Sequence, residues 1–378
     1  MATDWLVYHY ETSGGIIGEV TPLNLRWGVT VDGPGYITYD MPIANNHLAH
    51  QLRTKPYRTD WQLLNRNGGQ WITRGFHTEV TIDDYFNTRM MKVAGKDYLH
   101  YLERIMWPRD PNSNYRTSTF LDSTNGTVFD YTDTIDYLVY KLISEATGYV
   151  NYSFVPSFTG APSPTGSGFR YRVEPGDTRT LWQHITDLFS LGDSTENYYL
   201  RLDQYGNYDF PSNLLPRYST IDTPAYDFDA NPRGGNCELV SFRHGGIRGT
   251  WFFGLASGPS AKKAVLGNNG MSAYRRWDIS EEFTGPNAYT NLSTLVASSL
   301  EEALIPDIEI QVKWVEEPEK FSPWFREYFW PGVRVGLKAD LGWIDINDTF
   351  TVMALECSVE NDGVTEYTAT LNLPLSST

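Results

Sequence analysis

The chain has 378 residues, 40% of them hydrophobic and 15% aromatic, and a formal net charge of −16. That length suggests roughly two to three domains. A chain this acidic lacks the clustered Lys and Arg by which proteins grip nucleic acid or anionic membrane, though it suits the wall of a passage that a polyanion crosses without sticking.

The N-terminus, Met1-Ala2-Thr3-Asp4, has neither the basic stretch nor the apolar core of a signal peptide. No apolar run approaches membrane-spanning length, so no membrane insertion is expected. The first hundred residues read as a β-rich unit. Trp5 to Tyr10 and Ile16 to Val20 flank Gly14-Gly15. Leu23, Leu25, Trp27 and Val29 then alternate with Asn24, Arg26 and Gly28. Asn67-Gly68-Gly69 separates a strand around Trp61 to Leu64 from one over Trp71 to Ile82, where Phe76, Val80 and Ile82 are expected on one face and His77, Glu79 and Thr81 on the other. Thr88 to Val93 is the next strand. Gly95 is expected to let the backbone turn. Asp97 is expected to cap a short helix that buries Leu99, Leu102 and Ile105 and stops at Trp107-Pro108.

The middle region contains helices. Thr132 to Thr147 has the helical period, with Gly148 at its stop. Thr180 to Leu191 is the second helix, with Asp177 or Thr178 as its cap. Pro156 to Gly168 reads as a loop. Gln204 to Asn236 is polar and proline-punctuated, with no periodicity of either kind. A third helix spans about 292–304. Strict alternation then returns from Ile308 to Val315, at Val333, Val335 and Leu337, and at Met353, Leu355, Cys357 and Val359. Asn361-Asp362-Gly363 reads as a hairpin turn, and Thr365 to Leu373 as the returning strand. The chain stops almost where that strand stops, so no catalytic module is expected after it. The fold class is mainly β with an α+β insert: two antiparallel β-barrel-like domains, 1–107 and 237–378, flank a helix-containing domain, 108–236.

No catalytic constellation emerges. The histidines are His9, His47, His50, His77, His100, His184 and His244. His47 and His50 have the spacing of one helical turn, but no Cys or carboxylate stands at ligand spacing beside them, so they read as surface residues rather than a metal site. His184 reads as a partly solvated flank of its helix. Asp83-Asp84, Glu301-Glu302 and Glu316-Glu317 are adjacent in sequence, which does not make a carboxylate pair converge across a cleft. Gly-x-Ser-x-Gly, dinucleotide-binding and phosphate-loop patterns are missing. No metal and no cofactor is expected. Lys262-Lys263 and Arg275-Arg276 are too small for a nucleic-acid footprint. Cys237 and Cys357 read as two small buried hydrophobes, with a disulfide between them left open.

The segment Val93 to Arg104, a strand delivering Val-x-Gly-x-Asp into a short Leu-containing helix, resembles the junction after the first barrel in phage tail hub proteins. The turn between Leu64 and Trp71, the helices from Thr132 and Thr180, and the final strands from Pro331-Gly332 resemble other parts of that family. The likeness is to baseplate-hub-like minor tail proteins of long-tailed phages, particularly those of actinobacteria. It implies a non-enzymatic homotrimer at the virion tail tip, with two similar barrels per chain in a pseudo-sixfold ring. That ring would join the tail tube to the tip, contact distal tail ring, tape measure and tip or fibre proteins, and meet DNA only in transit. It also implies that Gly95 and Asp97 are a structural junction. Exposed aromatics leave a receptor- or carbohydrate-binding tail-tip protein as the alternative, and a cell-wall hydrolase ranks last.

Overall fold

The computed structural model describes residues 4–11, 14–31, 33–43, 46–54, 58–66, 69–82, 89–105, 129–148, 157–173, 177, 179–189, 191, 200–209, 224–246, 248–257, 262–268, 276–283, 288–304, 308–315, 329–340, 342, 345–359 and 364–372. Alternating side chains shape the N-terminal part. β1 (Trp5–Glu11), β2 (Ile16–Val20), β3 (Leu23–Thr30) and β4 (Tyr36–Pro42) lead into helix α1 (Asn46–Thr54). β5 (Thr59–Asn65), β6 (Gln70–Thr81), β7 (Met90–Asp97) and the four-residue helix α2 (Leu99–Leu102) follow. The middle holds β8 (Phe129–Asp133), α3 (Ile135–Gly148), β9 (Phe158–Thr159), β10 (Phe169–Val173), α4 (Leu181–Phe189), β11 (Arg201–Leu202), β12 (Tyr208–Asp209) and β13 (Asp227–Asp229). The rest comprises β14 (Glu238–His244), β15 (Trp251–Ser257), β16 (Lys262–Asn268), β17 (Asp278–Phe283), α5 (Ala288–Leu304), β18 (Ile308–Val315), β19 (Arg334–Asp340), β20 (Asp345–Val359) and β21 (Thr365–Asn372).

The chain is mainly β, with large antiparallel sheets. One 13-stranded sheet runs β14-β18-β21-β20-β3-β4-β7-β6-β5-β1-β2, with β19 beside β20 and β13 beside β19. N-terminal and C-terminal strands are thus one sheet, joined where Ala354–Val359 of β20 pairs antiparallel with Leu25–Thr30 of β3. No closed barrel appears among the described residues; the sheet ends at β2 and β14. A separate three-stranded sheet, β16-β15-β17, carries α5 on one face. Gly254 and Gly267 let that helix approach, since a Cβ at either would meet Val296.

Five strands recur. In chain order β3, β4, β5, β6 and β7 lie side by side as β3-β4-β7-β6-β5, and β14, β18, β19, β20 and β21 lie as β14-β18-β21-β20-β19. Every neighbouring pair in both sets is antiparallel. The registers coincide in three of the four pairs; β5–β6 alone carries a further shift, between Leu63 and Leu64, that β19–β20 lacks. Phe76 pairs with Lys96 where Thr351 pairs with Asn372, and Arg26 pairs with Thr38 where Ser241 pairs with Gln311. Both sets carry a β-bulge at the same place, between His77 and Glu79 in β6 and between Val352 and Ala354 in β20. Both also shift register just before Arg26 and Ser241. A bulge inserts one residue at a chosen point of a ladder, so matching bulges mark a common plan.

Two apolar cores form. One takes β1–β7 and α1 together with Phe228, Ala230 and the C-terminal strands, so Trp5, Trp27 and Trp61 share it with Val335, Leu355 and Tyr367. The other joins Phe76, Tyr98 and Leu102 to α3, α4, Phe252 and the buried face of α5.

Several expectations need correction. Gly95 makes no turn: it lies inside β7, where a Cβ would strike the Trp61 indole nitrogen. His77 is fully buried, because the bulge after it breaks the alternation of β6 and both faces of the strand are covered there. The equivalent bulge in β20 turns Val352, not Met353, inward. His184 is fully buried on α4. That helix is capped by Thr180 rather than Asp177, with Thr178 outside the described residues: the Thr180 Oγ1 accepts from the Gln183 N–H and Gln183 Oε1 from the Thr180 N–H, a reciprocal box. The first three residues expected in the long helix from Thr132 are instead the end of β8 and its exit, because Thr132 and Asp133 pair with Arg170 and Phe169. Gln204 to Asn236 contains β12 and β13, which borrow their partners from β9 and β19. β4 and α1, and the sheet of β15, β16 and β17, stand outside the expected elements. Trp107-Pro108, Asn361-Asp362-Gly363, Asp83-Asp84 and Glu316-Glu317 lie outside the described residues.

Candidate functional site

Asp97 sits where β7 hands the chain to α2. Its Oδ2 accepts from the Gly35 N–H at 2.7 Å and its Oδ1 from the Leu99 N–H at 3.0 Å. The Asp97 N–H in turn donates to the Gly35 carbonyl at 3.1 Å. The carboxyl therefore ties the β3–β4 connection to the start of α2, with Gly35 leaving no Cβ in its way. Burial pushes its pKa up to about 7, against the pull of the Gly35, Leu99 and His100 N–H groups and of Lys96. A cleft of about 20 Å³, room for roughly one water, opens beside it, lined by Val29, Thr73, Asp97, Leu99, Arg201 and Trp330. Three parts of the chain meet there.

A polar cluster missed by the sequence reading lies inside the same sheet. His9 and His77 stack with ring centroids 5.0 Å apart, and the Tyr39 hydroxyl is 3.3 Å from the Nε2 of each. His77 Nδ1 also lies 3.0 Å from the Thr59 carbonyl. Burial holds the His9 pKa well below its ordinary value, with His77 adding to it, and burial lowers His77 to about 4. Both rings are neutral at pH 7. Nearby, Asp60 accepts from the Tyr98 hydroxyl at 2.7 Å and faces Arg74 at 3.5 Å. Burial raises Asp60 to about 6, with Tyr98 and Arg74 opposing. The only signal for these groups was polar residues at alternating positions, which is also what a solvated strand face shows.

The insert has its own nodes. Asp133 holds the 157–168 loop by accepting from the Thr165 and Gly166 N–H groups and the Thr165 hydroxyl. Burial raises its pKa, but those N–H bonds outweigh that and bring it down to about 2. Arg179 pairs with Asp177 and Asp187, and His184 Nδ1 meets the Tyr171 hydroxyl at 3.0 Å.

These groups brace backbone and core. His47 and His50 are both exposed on α1. Among the described residues no group of three or more His, Cys, Asp or Glu is placed to hold a metal ion, and no helix is long and apolar enough to cross a membrane. Cys237 and Cys357 are both free thiols. Of the exposed aromatics, Tyr131 lies on β8, Tyr205 on the β11–β12 turn and Trp277 before β17, so they do not share one element.

No protein-family model matches the chain, and no curated protein sequence does. Solved structures do match, over nearly its whole length. The tail protein from Neisseria meningitidis MC58 superposes with a TM-score of 0.63 at 13% identity, over 97% of this chain and 96% of that one. The 43 kDa tail protein of prophage MuSo2 from Shewanella oneidensis superposes at 0.60 and 10% identity, over 98% of each. A chain of the Francisella PdpA–VgrG complex superposes at 0.52 and 9% identity, over 99% of this chain but 59% of that one. The fold is that of these tail proteins.

Proposed function

We propose that the chain is a structural virion protein, a tail-tip or baseplate hub. It would join the tail tube to the distal tip as a homotrimer and form part of the DNA channel. The observation that carries this reading is the end-to-end match to two prophage or tail proteins of almost the same length. The doubled five-strand plan supports it: two like β units per chain let three chains meet a sixfold tube. On this reading 1–107 and 237–378 are the two β domains and 108–236 is the insert. Gly95 and Asp97 are the structural junction between the first and second. The neighbours would be the distal tail ring, tape measure and tip or fibre proteins, with DNA passing through and no enzymatic step. The deciding experiment is an electron cryomicroscopy reconstruction of the tail carrying this protein. Three copies around the tail axis at the tip are expected, and six copies or a peripheral monomer would overturn the assignment.

A further inference from the structure

The doubled plan leaves one half-made joint on each side of the chain. In β20, Asp345–Thr351 pairs with β19, and on that same edge Ala354–Val359 takes β3. In β6, Gln70–Phe76 pairs with β5, and among the described residues the following stretch to Thr81 has no strand on that edge. The strand equivalent to β3 is β14. Among the described residues it pairs with β18 alone, and no residue along it is fully buried, Leu239 and Phe242 being half-buried against the main core. An open strand edge of this kind is a template for pairing.

We propose that β14 of one copy pairs antiparallel with the open stretch of β6 in the next copy, repeating between chains the joint that β3 and β20 make within one. The equivalence fixes the register. Thr30 opposite Ala354 becomes Gly245 opposite Glu79, which sets Arg243 opposite Thr81 and Phe242 opposite Ile82. Chemistry agrees with that alignment. Ile82, 40% exposed in a lone chain, gains the Phe242 ring. Glu79 and Arg243, both exposed, fall on one face as diagonal neighbours, within reach of each other across an antiparallel pair. Because the two halves sit on different surfaces of one chain, the contact is heterologous and generates a ring or a filament. Closure at three chains, six β units, is the one part that rests on the hub reading.

The test is disulfide trapping with the full-length chain in a Cys237→Ser background. Ile82→Cys together with Phe242→Cys is oxidised both as concentrated purified protein and within assembled tails, against each single variant and against the out-of-register pair Ile82→Cys with Arg243→Cys. Circular dichroism verifies that every variant is folded. Linked species of two and three chains, reversed by reductant and at least about tenfold above the single variants and the shifted pair, are expected. Linkage no greater than in the single variants, in both preparations, would overturn the joint. A threefold tail without the linkage would leave the hub reading standing and this joint refuted. Linked ladders running beyond three chains would keep the joint and remove closure at three.

Discussion

At the residue scale the chemistry of the chain lies in buried polar groups, and these make its stability depend on pH in two opposed ways. Asp97 and Asp60 have folded pKa values raised to about 7 and about 6 by burial. The folded state then holds more protons than the unfolded one between about pH 4 and those values, so their contribution is full below about pH 4 and is lost as pH rises through 6 and 7. His9 and His77 run the other way: both are lowered, so their contribution is full above about pH 6.5 and is lost as pH falls toward 4. Asp97→Ala separates the two. It strands the Gly35 and Leu99 N–H groups, each costing about 1–3 kcal/mol, more than the about 1 kcal/mol of a lost helix cap alone. Because the parent also loses Asp97's contribution on going to high pH, the deficit is expected to be larger at pH 5 than at pH 8 in urea denaturation; an equal deficit at both would disprove the assignment. Gly95→Ala drives a methyl into the Trp61 indole, which donates to the Phe76 carbonyl at 3.1 Å. A loss of about 1–3 kcal/mol is expected from overpacking, and a fully stable variant would show that the close approach is not constraining. Only part of this was legible. An Asp two residues before a Leu-rich turn announces a cap, but its second partner, Gly35, is 62 positions away.

At the scale of elements, legibility followed periodicity. β18 and β21 alternate without interruption, β19 does so apart from its buried Gly336, and their buried faces are those that the sequence indicates. β6 and β20 also alternate, but each carries a bulge that transfers one residue to the other face, and nothing in the side-chain pattern announces it. β9, β11, β12 and β13 are two or three residues long; β11 meets β12 across a short turn, while β9, β12 and β13 take partners distant in sequence, which no local period records. The repeat was hidden for the same reason. It is a repeat of pairing and register, while Phe76, Lys96 and Arg26 of one unit stand where Thr351, Asn372 and Ser241 stand in the other. Two substitutions probe element packing. Thr180→Ala removes one half of the α4 capping box and should cost about 1 kcal/mol, read as a lowered denaturant midpoint. Gly254→Ala places a methyl against Val296 beneath α5. Hydrogen exchange is expected to quicken in α5 and β15 while β3 and β20 stay protected; uniform change through the sheet would mean that the two cores do not open separately.

At the scale of the molecule, charge remains to be placed. The chain carries −16, and three copies would carry three times that, 48 formal negative charges. Acidity has two accounts. It suits a wall past which DNA must move, since every phosphate neutralised by Lys or Arg releases counterions, adds affinity and slows transit. It also simply keeps a protein soluble. The proposed joint between β14 and β6 would separate them geometrically, because it would spread one continuous sheet around an axis and give that sheet an inner and an outer face. Along β20 and β21, successive side chains point to opposite faces, so Tyr367, Ala369 and Leu371 go to the core while Glu366, Thr368 and Thr370 go to the other face. In that register Glu366 already pairs with Lys313 on β18 at 2.8 Å, which cancels one charge of each sign. The hub account therefore requires the excess of Asp and Glu to gather on the axis-facing side after such pairs are removed. A charge map of the assembled ring is expected to show that excess, and rapid genome ejection should slow when axis-facing carboxylates are exchanged for Lys. An inner face that is neutral or basic, with the carboxylates spread over the outside, would leave solubility as the whole reason for the acidity.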